Sequence, residues 1–273
     1  MKVKEYKKKI ILNKICVHVL QVVILTSFLI LWEIASKMGW INEFLFSSPS
    51  AILNLLKSYL ISGELYKHLG ISIYETMLGL LIGTSMGLVV AIFLWLNKFI
   101  AKVMDPFLVV LNALPKTALA PIFIIWAGTG VKGIVVVSVS ISLVVTILSA
   151  YSYFNEVDKA KVKMLESFGA NKFQILTKLV LPSNIANIMG IIKINIGMSW
   201  IGVIVGEFIV SREGIGYLLT YGSQVFRLDL VMMSVFTLAI VAYLMYIITN
   251  FVEKQLTKIY NIQAPARFIR VRT

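Results

Sequence analysis

Residues 134–154 read IVVVSVSISLVVTILSAYSYF, without one Asp, Glu, Lys or Arg. The density of Val and Ile suggests a strand. Strands are usually about 5–6 residues long, however, and no strict alternation is sustained along this run. Length therefore favours a helix. A hydrocarbon core of about 30 Å is crossed by about 20 residues of helix, so the stretch reads as a membrane span. Five further stretches qualify to either side of it, at roughly 15–32, 71–96, 107–127, 185–210 and 230–252. The first follows a lysine-rich start, but no small-residue cleavage pattern comes after it (Trp32, Glu33, Ile34, Ala35, Ser36, Lys37), so it reads as a retained span.

Composition agrees. Of 273 residues, 59% are hydrophobic and 14% charged, and the mean hydropathy is +0.88. Soluble domains are about 45–50% apolar and about 25% charged, so the excess belongs in lipid. The net charge of +13 would suggest nucleic acid on a soluble protein. Here its distribution gives another reason. If six spans alternate, one side holds 18 Lys and Arg: those at 2–14, Lys98 and Lys102, those of the 155–182 loop, and those at 254–272. The other side holds six: Lys37, Lys57, Lys67, Lys132, Arg212 and Arg227. That bias puts both termini in the cytoplasm and removes the case for nucleic acid. The expected organisation is a basic tail over 1–14, a membrane domain over 15–252 and a basic tail over 253–273. One cysteine excludes an internal disulfide, and two histidines argue against a histidine-rich metal site.

Between spans, Ser48-Pro49-Ser50 precedes apolar residues at Ile52, Leu55, Leu56 and Tyr59. This is helical spacing behind a serine N-cap, and it predicts a short amphipathic helix on the outer surface. In the 155–182 loop, Val157, Val162, Leu165 and Phe168 form one apolar face that ends at Gly169. A second run carries Phe173, Ile175, Leu176, Leu179 and Val180 and ends at Pro182. Two such helices suit either the membrane surface or a groove on a soluble partner. Within 107–127, Pro115 and Pro121 predict a broken or kinked helix. Lys116 beside the first proline is a candidate for lining a pathway. Lys193 reads as a snorkelling or pairing residue, and Glu207 as one that pairs or lines the path.

No catalytic signature emerges: there is neither a Gly-x-Ser-x-Gly turn nor a His-Glu-x-x-His pair. The run 128–133, GTGVKG, has the glycine spacing of a phosphate loop. Ile134 and Val135 stand where Lys and Ser/Thr are required, so it reads as a turn between spans.

Three segments resemble the permease subunits of binding-protein-dependent ABC importers, in particular the sulfonate/taurine/nitrate-type branch. LNALPKTALAPIFIIWAGTG (111–130) looks like the proline-rich third span. ESFGANKFQILTKLVLP (166–182) looks like the cytoplasmic EAA loop, with Gly169, Gln174 and Pro182 in register. SWIGVIVGEFIVSREGIGYLL (199–219) looks like the end of span five. The resemblance covers about residues 45–255. It implies an all-α, six-span type I importer bundle in the cell membrane. A second permease copy, in a homodimer, would complete the pore. Two ATPase subunits would bind ATP and magnesium and receive the loop helix, and an external solute-binding protein would deliver the substrate. The loop residues so implied are Lys163, Met164, Leu165, Glu166, Phe168, Gly169, Ala170, Gln174 and Pro182. Those of the path are Pro115, Lys116, Pro121 and Glu207. No cofactor or metal is expected on this chain. Substrates of that branch include sulfonates, taurine, nitrate and vitamin precursors.

The chain departs from the pattern in places. Lys163-Met164-Leu165 stand where the motif has Glu-Ala-Ala, and Glu166 where a basic residue is usual. Glu75 and Lys193 stand where arginine is common. An ion-coupled carrier is the competing class. It would favour acidic groups within the membrane and an inverted repeat, whereas the acidic residues here cluster near span ends.

Overall fold

The computed structural model describes residues 2–259, with the side chains of 2–11, 14, 18 and 257–259 excepted. Most of the expected C-terminal tail and the basic side chains at the N-terminus lie outside the described residues. All regular structure among the described residues is helical, and the chain divides into two compact units.

The first unit comprises the chain up to Leu65 together with Leu219–Val235. It contains α1 (Lys2–Lys37), α2 (Glu43–Phe46) and α3 (Pro49–Ser62). The expected amphipathic helix is α3. Ser48 caps it by accepting from the Ala51 N–H at 3.3 Å, and Pro49 occupies the first turn, where a missing N–H costs nothing. Ile52 is buried and Leu55, Leu56 and Tyr59 half-buried, which is the face the spacing predicts. Glu33 of α1 accepts from the Ser50 N–H at 3.0 Å and ties the two helices.

The second unit comprises Tyr66–Leu218 and the chain from Phe236 onward. Its elements are α4 (Glu64–Leu96), α5 (Lys98–Ala113), α6 (Ala120–Ala127), α7 (Val131–Asn155), α8 (Lys159–Ser167), α9 (Lys172–Ile175), a π turn (Leu176–Val180), α10 (Leu181–Ser183) and α11 (Ile185–Val210). The remaining helices are α12 (Ile215–Gln224) and α13 (Leu228–Ile259), each divided in sequence between the two units, as is α4 after its first two residues.

Among the described residues, five helices are long and apolar enough to cross a membrane: Ile15–Lys37, Glu64–Leu96, Val131–Asn155, Ile185–Val210 and Leu228–Leu256. The expected span at 107–127 is instead two helices, α5 and α6, with a break between them. Pro115 explains the break. The residue before a proline is pushed out of the helical region, and Leu114 is extended at ψ 135°. Pro121 falls in the first turn of α6, where its missing N–H is harmless.

Helices α4, α7 and α11 meet along a seam of small residues. Gly79, Gly83 and Gly87, four apart on α4, face Ser138, Ser142 and Thr146, four apart on α7. A Cβ on these glycines would lie 2.1 Å from Ser138 Oγ, 2.2 Å from Ser142 Oγ and 2.5 Å from Thr146 Cβ. Gly202 of α11 is as tight, since its Cβ would lie 2.4 Å from Ser138 Cα. Lipid tails are as apolar as leucine, so close backbone approach and interhelical hydrogen bonds hold such bundles together. The hydrogen bonds are present. Asn195 Nδ2 donates to Thr84 Oγ1 at 2.8 Å and to Thr146 Oγ1 at 2.7 Å, joining all three helices. Ser138 Oγ donates to the Ser199 carbonyl at 3.2 Å.

Candidate functional site

The 155–182 loop is stiff, for reasons local to its sequence. Asp158 caps α8 by accepting from the Ala160 N–H at 2.9 Å. The helix ends in a Schellman turn: the Gly169 N–H donates to the Glu166 carbonyl and the Ala170 N–H to the Leu165 carbonyl, at 2.9 and 3.0 Å. Gly169 sits at φ +78°, where a side chain is strained. Asn171 and Gln174 then form a reciprocal capping box at 2.9 Å each way, which gives Gln174 a structural role. Lys172 Nζ donates to the Leu96 carbonyl at the end of α4, at 3.2 Å, a favourable place for a cation.

Two details differ from the sequence expectation. Val157, Val162 and Leu165 turn inward onto a buried cluster that includes Phe154, Ile175, Leu176 and Ile191. Phe168 does not share that face. It is the C-cap residue, where the helix is already ending, and it is 79% exposed. Met164 and Phe173 are exposed as well. Pro182 does not end the second run. It removes one N–H from the ladder, and the turn before it widens to π spacing. The Asn184 side chain covers the Val180 carbonyl at 2.9 Å, and the chain continues into α11.

Lys163 and Glu166 line a cavity of about 280 Å³ beneath α8, shared with Trp95, Lys98, Lys159 and Lys172. The loop residues 163–170 and 174 thus lie on one continuous segment capped at α8 and α9. Met164 and Phe168 project from it, and Leu165 and Ala170 anchor it.

The expected path residues differ in exposure. Pro115 and Pro121 are exposed and Lys116 half-buried, with its Nζ donating to the Asn112 carbonyl at 3.2 Å. Lys193 pairs with Glu253, donates to Asn250 Oδ1 at 3.1 Å and lies 5.6 Å from the Tyr246 ring centroid.

Glu207 is enclosed, at 1% exposure. It accepts from Ser72 Oγ at 2.6 Å and from the Gly216 N–H. Ser72 Oγ in turn accepts from the Ile215 N–H at 2.8 Å, and His68 Nδ1 from the Gly214 N–H at 3.0 Å. The 211–217 turn is therefore folded around one carboxyl. A Cβ on Gly214 would lie 2.3 Å from Glu207 Cδ. Sequence reasoning missed Ser72, His68, Gly214 and Gly216. A SREGIGY run after an isolated membrane glutamate was the available signal.

Residues 79–258 match the family described as the binding-protein-dependent transport system inner membrane component. The chain belongs to this family. SsuC of Bacillus subtilis, assigned as an aliphatic sulfonates transport permease, is 29% identical over 85% of this chain and 84% of its own length. The taurine transport permease TauC of Escherichia coli is 22% identical over 84% and 85%. The riboflavin transport permease RibX of Chloroflexus aurantiacus is 25% identical over 84% and 86%. Among solved structures, an inward-facing form of the MetNI methionine ABC transporter matches with a TM-score of 0.59 at 16% identity, covering 68% of this chain and 94% of that one. The protein is thus a multi-pass membrane permease component of a binding-protein-dependent ABC importer. Its relatives are transport permeases, not enzymes. Such permeases act with ATPase and binding-protein partners.

Proposed function

We propose that the chain forms half of the pore of an ATP-driven importer, with α5 and α6 completing a sixth crossing and both termini in the cytoplasm. A second copy supplies the other half. The 155–182 loop faces the cytoplasm and docks α8 into a separate ATPase subunit, which holds ATP and magnesium. An external binding protein delivers the solute. The observation that carries this reading is the loop itself. Its helix is capped at both ends and anchored on the bundle through Val162 and Leu165, yet it presents Met164 and Phe168 uncovered. A stiff lever with an exposed apolar tip passes motion from a soluble partner into a bundle as rigid-body displacement. The solute is a small sulfonate-, taurine- or nitrate-like anion, or a vitamin precursor. The names of the relatives SsuC, TauC and RibX support that range.

The test is purification of the tagged chain in mild detergent from its own host, with mass spectrometry of retained proteins and an ATP hydrolysis assay. A stoichiometric ATPase, lost when Gly169 is changed to Asp, is the expected result. A chain that purifies alone and transports without ATP would replace this reading with an ion-coupled carrier.

A further inference from the structure

The cavity of about 280 Å³ beneath α8 is walled by the end of α4 and the starts of α5, α8 and α9. Its charges are sorted. Lys98, Lys159 and Lys172 are each the first residue of their helix, and Lys163 follows one turn along α8. All four line the cavity, with Glu166 as the carboxylate among them. The acids that precede α8 belong elsewhere. Glu156 and Asp158 line a neighbouring cavity of about 250 Å³, together with Lys161. Among the described residues, no ion pair engages Lys98, Lys159, Lys163 or Lys172.

The floor is apolar and fixed. Phe154 and Ile175 are buried there, and the Trp95 indole N–H donates to the Phe154 carbonyl at 3.2 Å. The Asn155 amide nitrogen donates to the Tyr151 carbonyl at 2.8 Å. Recognition of a ligand therefore falls to the lysines. An ammonium group has three donors and no acceptor, so four of them around one small space call for an acceptor-rich anion. Glu166 answers one charge. A phosphate group brings more charge and more acceptor oxygens than a carboxylate, and it fits the excess that remains. Trp95 and Leu96 end the apolar helix Glu64–Leu96, and Lys172 Nζ is held at the Leu96 carbonyl. The cavity thus lies level with a membrane surface, where tryptophan and basic residues meet headgroups.

We infer that the cavity beneath α8 is a binding site for a phosphate-bearing anion, seated on Trp95 and Phe154 and held by Lys98, Lys159, Lys163 and Lys172. Two sources share that chemistry: the headgroup of an anionic lipid at the bilayer surface, and a small free phosphate compound from solution. Pockets for drug-sized ligands run to about 300–1,000 Å³, so this one suits a headgroup or a pyrophosphate. Either ligand ties α8 to the starts of α5 and α9, because one anion answers lysines from all three. Glu166 opposes it. The site does not depend on the proposed transport role.

The experiment uses the full chain with its retained partners in lipid nanodiscs, and reads the acetylation rate of each lysine by mass spectrometry. Discs of phosphatidylcholine alone are the reference. Phosphatidylglycerol is then added to the disc, or inorganic pyrophosphate to the solution at constant ionic strength. Lys98, Lys159, Lys163 and Lys172 are expected to react severalfold more slowly after at least one addition. The exposed Lys161 and Lys178 of the same loop should keep their rates. Protection by phosphatidylglycerol supports the site with a headgroup as ligand, and protection by pyrophosphate supports it with a free phosphate. Lys98→Gln is expected to weaken protection of the other three lysines, and Glu166→Gln to strengthen it. Rates alike in all three conditions, or slowing shared equally by Lys161 and Lys178, would overturn the site. Protection that both variants leave unaltered would do the same. If neither variant folds, the wild-type comparison decides alone.

Discussion

Gly169 and Gly214 both hold positive φ, at +78° and +107°, and they sit in turns at opposite ends of the stretch that contains α11. Their surroundings differ. A Cβ on Gly169 would meet nothing within 4 Å, whereas one on Gly214 would fall on the Glu207 carboxyl at 2.3 Å. The first glycine is needed for backbone conformation alone, and the second for conformation and space. The turn at 211–217 is completed inside the chain, around a carboxyl whose donors are all present. The loop at 155–182 is internally just as ordered, but it leaves Phe168 and Met164 exposed. One region is finished, and the other, on the proposed reading, is completed by a partner.

Four substitutions probe that contrast. Gly214→Ala combines backbone strain of about 1–2 kcal/mol with a clash worth about 1–3 kcal/mol. It should give the largest loss of thermal stability in detergent and the fastest tryptic cleavage at Arg212. Wild-type stability would show that the turn around Glu207 can give way. Gly169→Asp should cost only the strain, about 1–2 kcal/mol. Its membrane abundance should stay normal while ATP-driven uptake is lost, and normal uptake would break the proposed coupling. Asn171→Ala removes half of the capping box and should cost about 1 kcal/mol, read as a lower melting temperature with partial retention of the ATPase. Phe168→Ala should change stability by less than about 0.5 kcal/mol, as expected of an exposed site. Pull-down of the ATPase should nevertheless fall sharply. Unchanged retention would show that the exposed tip is not the docking surface.

Much of the architecture was legible beforehand. Length and charge alone marked the five long helices, Ser48 and the apolar spacing after it marked α3, and Gly169 marked the end of α8. The errors share a cause. Spacing places Phe168 on the face of Leu165 because it takes a helix to continue, whereas the helix stops there. Spacing makes Pro182 a terminator, but the turn before it widens to π spacing and the chain runs on, with the Asn184 side chain covering the Val180 carbonyl. The seam of Gly79, Gly83 and Gly87 passed unnoticed, because small residues add little to a hydropathy pattern although they decide how near two helices come.

Lipid as solvent explains the division. An apolar run of sufficient length must become a helix there, because every backbone N–H and C=O needs a partner within the segment. Element type follows from that local requirement, while the failure of helix at Pro115 follows from the restriction that proline puts on Leu114. Which helices touch follows from neither, since one apolar surface is as good as another in a bilayer. That choice rests on Gly202 meeting Ser138, on Asn195 reaching Thr84 and Thr146, and on Glu207 accepting from Ser72. These are contacts between residues far apart in the chain, and they exist only once the helices have packed.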